Sequence, residues 1–220
     1  MSSHTSSVTM TIVSRAFSPR DLVGGHPVLD LVNTVTARNT PPPRDWLDGY
    51  ERLLEWARLA NITEDKVLTH LSKQAAASPD SAVGALARLK QFREALYTAY
   101  ASLSTGKRVS KPVLDTIGVI WREAQSRTHL DYSGNHIEAR VSLEHSGLDL
   151  IRDGLAGSAI ELLRSLPTDR VRVCEGESCG WLFIDLSKGG QRVWCDMATC
   201  GNAAKTRRHQ EKLRRRQKDR

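Results

Sequence analysis

Apolar residues recur at helical spacing through most of the first three quarters of the chain. A further run, residues 28–35, follows a Gly-Gly-His-Pro break and has apolar residues at i, i+3 and i+6. A short helix is favoured for this run, although its β-branched residues leave a strand open. These patterns predict a mainly α fold. The longer predicted helices cover residues 45–60, 64–77, 79–103, 111–124 and 148–166.

Two segments interrupt the helical pattern. Residues 129–141 alternate around the turn signal Ser133-Gly134-Asn135, which predicts a short β-hairpin. Residues 181–185 and 191–194 are rich in aromatic and β-branched side chains and flank a Gly-Gly turn, which predicts a second hairpin. The run Pro41-Pro42-Pro43 cannot lie inside a helix, so we expect a rigid surface connection there.

The chain divides into three predicted segments. Residues 1–17 are polar and aperiodic, which is typical of a disordered leader, residues 18–168 form the helical domain, and residues 169–220 form a smaller C-terminal unit. The sequence has no apolar run of the ~18 residues that a membrane-spanning helix needs, and the leader lacks the apolar core of a signal peptide. We therefore expect a cytoplasmic protein in a reducing compartment, with no membrane partner.

The net charge of +7 is confined to the end of the chain. Residues 203–220 contain nine Lys/Arg and two Asp/Glu, and the remaining 23 basic and 23 acidic side chains cancel. A neutral body with a cationic end indicates a polyanionic partner.

All four cysteines lie in the C-terminal unit, as the pairs Cys174-x4-Cys179 and Cys195-x4-Cys200. In a reducing compartment, two short-spaced pairs favour a tetrahedral Zn²⁺ site over two disulfides or four free thiols. Four protein thiolates leave no open coordination position, so we expect structural zinc. The predicted unit is treble-clef-like, with a β-hairpin and a basic helix that begins near Cys200.

The residues after Cys200 are good helix formers without Gly or Pro, and they have no apolar stripe long enough to bury the helix. Such a helix repels itself unless an anion neutralises it, and the phosphate backbone of DNA is the expected partner. RNA, an acidic protein partner and a solvated or disordered tail remain alternatives. The candidate nucleic-acid-binding residues are Asn202, Lys205, Arg207, Arg208, Lys212, Arg214, Arg215 and Arg216.

The sequence resembles a known pair of domains. The stretch Cys195–Asn202, after Trp194 and before Ala204-Lys205-x-Arg207-Arg208, resembles the CGNR zinc finger. Residues 29–34, Leu-Asp-Leu-Val-Asn-Thr, resemble the start of the ABATE domain that precedes this finger. The resemblance implies a bacterial transcription regulator associated with stress response, with a DNA-binding finger. One residue departs from the motif, because Ala203 stands where CGNR has arginine.

Other polar groups give weaker signals. His26, Asp30, Asn33 and Thr34 are either a ligand-sensing patch or helix caps and core hydrogen-bonding groups. A homodimer and a small-molecule effector of the N-terminal domain therefore stay open. The histidines near the predicted hairpin at residues 129–141 lack a metal-ligand spacing. Because no P-loop, dinucleotide-binding or nucleophile-elbow motif occurs, we do not expect an enzyme.

Overall fold

A computed structural model describes residues 10–165, 167 and 170–218, and shows a mainly helical protein. Its fold class is the one that the hydrophobic pattern predicts. The helices are α1 Pro27–Val32, α2 Tyr50–Leu59, α3 Asp65–Ala77, α4 Pro79–Ser104, α5 Lys111–Ser126, α6 Leu143–Ser146, α7 Leu150–Ser165 and α8 Asn202–Lys218.

Within the described residues, seven short strands form three small sheets. In the first sheet β3 lies in the centre, parallel to β1 and antiparallel to β2. The other two sheets are the antiparallel pairs β4–β5 and β6–β7. The strands are β1 Thr11–Ile12, β2 Val35–Thr36, β3 Arg44–Asp45, β4 Thr128–Ser133, β5 His136–Val141, β6 Val171–Val173 and β7 Leu182–Ile184.

The long helix α4 lies at the centre of the main core, where it contacts α1, α2, α3, α5 and α7. Its inward face buries Leu89, Phe92 and Leu96 completely, at the 3–4-residue spacing that the sequence shows. Tyr100 is also buried, and its hydroxyl donates to the Ala159 carbonyl of α7 at 3.2 Å. This core extends beyond the helices, because Val171, Leu182 and Ile184 of β6 and β7 belong to the same cluster.

A second, smaller cluster surrounds the cysteines. It contains Trp46, Trp181 and Phe183, with Phe17 packed at its edge. The Trp46 and Trp181 rings meet edge to face at 5.5 Å between centroids. Trp46 therefore does not lie on the helix predicted over residues 45–60. That helix starts at Tyr50, because Arg44–Asp45 pairs as a strand and the next residues turn towards the cysteines.

Two further predictions near the N-terminus need correction. The predicted leader is too long, because Thr11–Ile12 pairs with β3, while residues 1–9 lie outside the described residues. The helix favoured over residues 28–35 ends at Val32, and Val35 lies in β2, where it pairs with Asp45. In both places a partner strand fixes the backbone, and the partner is remote enough that local periodicity carries no sign of it.

The hairpin predicted within residues 181–194 is wrong in its pairing. Strand β7 pairs with β6, in a register that sets Val171 opposite Ile184 and Val173 opposite Leu182. Residues 191–194 are kept out of the sheet by the Asp185 carboxylate, which accepts hydrogen bonds from the backbone N–H groups of Ser187 and Arg192 at 2.9 and 2.7 Å. The predicted domain boundary at residues 168 and 169 lies outside the described residues.

Candidate metal centre and basic helix

The cysteines come from two turns that face each other. Cys174 and Cys179 lie in the turn that joins β6 to β7. Cys195 and Cys200 lie at the segment that leads into α8, where Met197–Gly201 forms a wide helical turn. The four sulfur atoms all lie within 4.8 Å of one another. Cys174, Cys179 and Cys195 are buried, and Cys200 is partly exposed.

The spacing of the sulfur atoms fits a tetrahedral metal site. The Sγ atoms of Cys179 and Cys195 are 3.7 Å apart, and those of Cys195 and Cys200 are 3.8 Å apart. Four thiolates at about 2.3 Å from a zinc ion have sulfur–sulfur edges of about 3.8 Å. The donor set, four sulfurs without an oxygen ligand, suits zinc rather than calcium or magnesium.

Glycines allow the first cysteine turn to wrap closely around the sulfur atoms. The Gly176 N–H donates to the Cys174 sulfur at 3.4 Å, and a Cβ at Gly176 would lie 3.0 Å from the Cys200 sulfur. Gly180 has a φ of +74°, and a Cβ there would lie 2.7 Å from the Cβ of Arg38. A side chain at either glycine would push the turn away from its neighbours.

The second cysteine turn begins with a helix cap. The Asp196 carboxylate accepts hydrogen bonds from the N–H groups of Ala198 and Thr199 at 3.2 and 3.1 Å. This cap fixes the start of the turn that carries Cys200 and continues directly into α8. The direction in which α8 leaves the body is therefore linked to the position of Cys200.

The four cysteine sulfurs affect one another's protonation. Hydrogen bonds from the Cys179 and Cys195 thiols lower the pKa of Cys174, and the same cluster contacts raise the pKa of Cys179 and Cys195. Burial raises the pKa of Cys200. Four sulfur atoms this close share protons unless a cation takes the place of those protons, because several uncompensated thiolates would repel one another.

Sequence reasoning missed that the N-terminal segment after β2 holds the first cysteine turn. The Arg38 N–H donates to the Cys179 carbonyl at 3.0 Å. The Asn39 amide donates to the carbonyls of Cys174 and Gly176 at 3.1 and 2.8 Å. Thr40 completes the clamp by donating to the Glu177 carbonyl at 2.7 Å. The partners lie more than 130 residues away in sequence, and no local signal predicts them.

The residues that follow helix α1 contribute a second set of contacts to the same unit. The buried amide of Asn33 donates to the Leu182 carbonyl at 2.9 Å and accepts from the Leu182 N–H at 2.8 Å. It thus acts as one more pairing partner for β7. The indole of Trp181 donates to the Val35 carbonyl at 3.1 Å. These contacts join the N-terminal helices to the cysteine unit.

The four polar residues that were considered as a ligand-sensing patch are used inside the fold. The His26 ring accepts the Val28 N–H and caps α1, and the Asp30 carboxylate accepts the Gly24 N–H at 2.8 Å. The hydroxyl of Thr34 donates to a carbonyl of α1, and Asn33 pairs with β7. The structure therefore supports the alternative of caps and core hydrogen bonds.

Helix α8 leaves the body of the protein after its first turn. Ala204 is buried, whereas every side chain from Arg208 through Gln217 is exposed. Positions three and four residues apart lie on one side of a helix, so its cations form a continuous face along the helix. We call this face the basic stripe, and its members are Lys205, Arg208, Lys212, Arg215 and Arg216.

The remaining candidates for nucleic-acid binding lie off this stripe. The Asn202 amide donates to the Ala198 carbonyl at 3.2 Å, so it holds the turn that precedes it. Arg207 forms an ion pair with Glu177 at 2.6 Å, and Arg214 lies two turns further along the same side of the helix. Within the stripe, the Arg208 guanidinium lies 6.0 Å from the ring of Trp194.

The residue that departs from the CGNR motif borders a groove beside the cysteines. Ala203 lines it together with residues of the first cysteine turn and of α8, and the Arg207–Glu177 ion pair lies across it. A longer side chain at position 203 would enter this groove. The departure therefore affects the surface of the cysteine unit and leaves its four sulfur atoms in place.

Among the residues that the structure describes, the four cysteines are the only group of His, Cys, Asp and Glu side chains that is arranged to hold a metal. The histidines of the hairpin β4–β5, His129 and His136, are exposed and outside any such group. No helix within the described ranges has both the length and the apolar content to cross a bilayer.

Comparisons with protein families agree with this geometry. Residues 170–213 match the CGNR zinc finger, and residues 25–166 match ABATE, whose description reads "putative stress-induced transcription regulator". A comparison with curated proteins finds no match. Neither family description is that of an enzyme. Since the ABATE match covers more than half of the 220 residues, the chain belongs to the ABATE family and has a CGNR zinc finger at its C-terminus.

Proposed function

We propose that this protein is a DNA-binding transcription regulator of the bacterial cytoplasm in which one structural Zn²⁺ fixes a basic helix for contact with the DNA backbone. The observation that carries the proposal is the junction at Cys200. This cysteine belongs to the four-sulfur cluster and also to the turn that continues into α8. Metal binding and the presentation of the basic stripe are therefore coupled through one residue.

Zinc is the metal that we assign to Cys174, Cys179, Cys195 and Cys200. The sulfur spacing supports it, and so does the small size of the sheet that carries the first pair, since β6 and β7 have only three residues each. When bound, the ion would cross-link this hairpin to the start of α8 and leave no open position for catalysis.

DNA backbone is the partner that we assign to the basic stripe. Its five cations extend along about 17 Å of exposed helix, so the stripe is long enough to contact successive phosphates. Binding to a membrane surface would need an apolar face beside the stripe. Among the described residues of α8, Leu213 is the only large apolar side chain, so the helix has no such face. Residues 1–202 have no net charge, so they do not compete with the stripe for an anionic partner.

Zinc content tests the metal assignment directly. Elemental analysis of the purified protein should find one zinc per chain, and Cys195→Ser should lose both the metal and the native fold. The exposed Ser81→Cys variant is a control that adds a thiol away from the cluster and should leave the zinc content unchanged. A protein that folds equally well with substantially less than one zinc per chain contradicts the assignment.

Two charge-matched double variants test the stripe. Arg208→Gln with Arg215→Gln removes two stripe cations, and Arg207→Gln with Arg214→Gln removes two cations at the same spacing on another side of α8. If the wild type makes about five phosphate contacts, log affinity falls with log salt at a slope of about −4 to −5. The stripe variant should reduce this slope by about 2, and the off-stripe variant by less than about 1.

Equal losses in the two variants would mean that total charge, not the stripe, determines binding. Deletion of residues 203–220 should abolish DNA binding, and a gel shift that survives this deletion or does not depend on salt contradicts the proposal. Competition between duplex DNA and structured RNA separates the first alternative, RNA binding. A partner that is pulled down after nuclease treatment would instead indicate a protein-interaction module.

A further inference from the structure

The hairpin β4–β5 has one face of apolar side chains, and the outer end of this face is exposed to solvent. In its register Leu130 lies opposite Ala139 and Tyr132 lies opposite Ile137, so these four side chains share one face. Leu130 and Tyr132 are each 74% exposed and Ile137 is 64% exposed. We call this surface the hairpin face.

The opposite face of the hairpin carries charged side chains, which form ion pairs with one another. Its directly opposed residues are His129 with Arg140 and Asp131 with Glu138. Arg140 lies 3.3 Å from the Glu138 carboxylate and 4.0 Å from the Asp131 carboxylate. Within β4 and β5, both of which are fully described, all charged side chains lie on this second face, and none lies on the hairpin face.

The hairpin face continues into the body of the protein at its base. Val141 packs against the main core on the same side of β5 as Ala139. Both residues line a cavity of about 350 Å³, which is also lined by the apolar Ile62 and Val67 and by the charged Glu64 and Arg140. The apolar surface therefore runs from the core, beside this partly polar cavity, to the exposed tip of the hairpin.

An isolated two-stranded hairpin with an uncovered apolar face is marginal in water, since three strands or a packed neighbour are needed for stability. Leu130, Tyr132 and Ile137 together expose roughly 400 Å² of side chain, and a standard interface buries about 800 Å² on each partner. Two such faces packed together would bury about 800 Å² in total, which is the size of a weak, transient interface. The largest apolar patch of a soluble monomer commonly has this size and is often an interaction site.

We infer that the hairpin face binds the hairpin face of a second copy of this chain. A face without charge offers nothing to select a partner of opposite charge, but it is complementary to itself across a two-fold axis. Face-to-face packing of two hairpins gives two stacked sheets about 10 Å apart, and it keeps the charged faces in solvent. This inference is independent of the zinc and DNA assignments, because no residue of the face lies in the cysteine unit or in α8.

Sedimentation of the zinc-loaded full-length protein over a concentration series tests the dimer. Because the interface is small, we expect a weak dimer with a dissociation constant on the order of 10 µM, so the protein should change from monomer to dimer between roughly 1 and 100 µM. Tyr132→Thr with Ile137→Thr keeps residues that favour strands and should raise the dissociation constant at least about tenfold. The control Val83→Gln with Leu114→Gln removes exposed apolar side chains on α4 and α5 and should still dimerise.

Hydrogen exchange of the wild type provides a second measurement that needs no variant. Backbone amides of residues 128–141 should become more protected as the concentration rises through the dissociation constant, while those of α8 should not change. A wild type that stays monomeric at about 200 µM overturns the inference. So does a dimer that the Tyr132→Thr/Ile137→Thr variant leaves intact, because that dimer uses another surface.

Discussion

Asn33→Ala should destabilise the whole protein, although Asn33 lies about 140 residues from the nearest cysteine in sequence. The Asn33 amide makes two hydrogen bonds with the Leu182 backbone, at 2.9 and 2.8 Å, in a place where both residues are almost fully buried. Alanine removes both bonds and leaves a buried N–H and a buried C=O of β7 without partners.

The expected loss follows from the cost of buried, unpaired polar groups. Each lost hydrogen bond contributes about 1 kcal/mol net, and each buried group left without a partner costs about 1–3 kcal/mol. We expect the free energy of unfolding to fall by about 3 kcal/mol, which is a large part of the 5–15 kcal/mol typical of folded domains. In urea, with a slope of about 2 kcal/mol per molar, the midpoint should move down by about 1.5 M.

Urea unfolding followed by far-ultraviolet circular dichroism and tryptophan fluorescence measures this change. The control is Asn202→Ala, the same substitution at an exposed amide whose bond to the Ala198 carbonyl should be worth less than about 0.5 kcal/mol. A chromophoric indicator should report zinc release in the same transition, because β7 holds the cysteine turn against the helical core. A loss below about 1 kcal/mol for Asn33→Ala, or zinc release in a separate transition, would refute the reasoning.

Three further predictions concern buried charge and close contacts. Burial raises the pKa of Asp30 to about 6 from its ordinary 3.8, so the contribution of Asp30 to stability should fall by up to about 3 kcal/mol as pH rises from about 4 to 6. In pH-dependent urea unfolding, the wild type should therefore lose stability relative to Asp30→Asn over this range, because carboxyls with a lowered pKa, such as Asp45, act equally in both proteins. Gly176→Ala should weaken zinc affinity about tenfold in a chelator competition, because its Cβ would lie 3.0 Å from a cysteine sulfur, whereas Gly154→Ala, which meets open space, should not. Arg93→Met should lower the free energy of unfolding by about 2–3 kcal/mol, because Asp45 loses its fully buried partner at 2.8 Å and keeps only Lys90 at 2.9 Å, and adding Asp45→Leu should recover part of that loss.

The helices, the two cysteine pairs and the exposed basic helix could be predicted from the sequence, because each depends on residues that are close together along the chain. Apolar spacing predicted the helices, because helical positions three and four residues apart face the core together. The spacing within each cysteine pair predicted two pairs of metal ligands, because two cysteines with four residues between them can lie on one turn of the chain. The charge of the final 18 residues predicted an exposed helix, since so many cations cannot be buried.

The pairing of distant segments depends on the tertiary fold. Local signals predicted the wrong partner for β7, because a Gly-rich turn after Ile184 is as good a local hairpin signal as the true pairing with β6. They also gave no sign that Asn33 and Asn39 would hold the cysteine turn. Buried backbone groups need hydrogen-bond partners, and these contacts supply partners for the groups of the cysteine turn and β7. The partners are more than 130 positions apart in sequence, so only the packed fold brings them together.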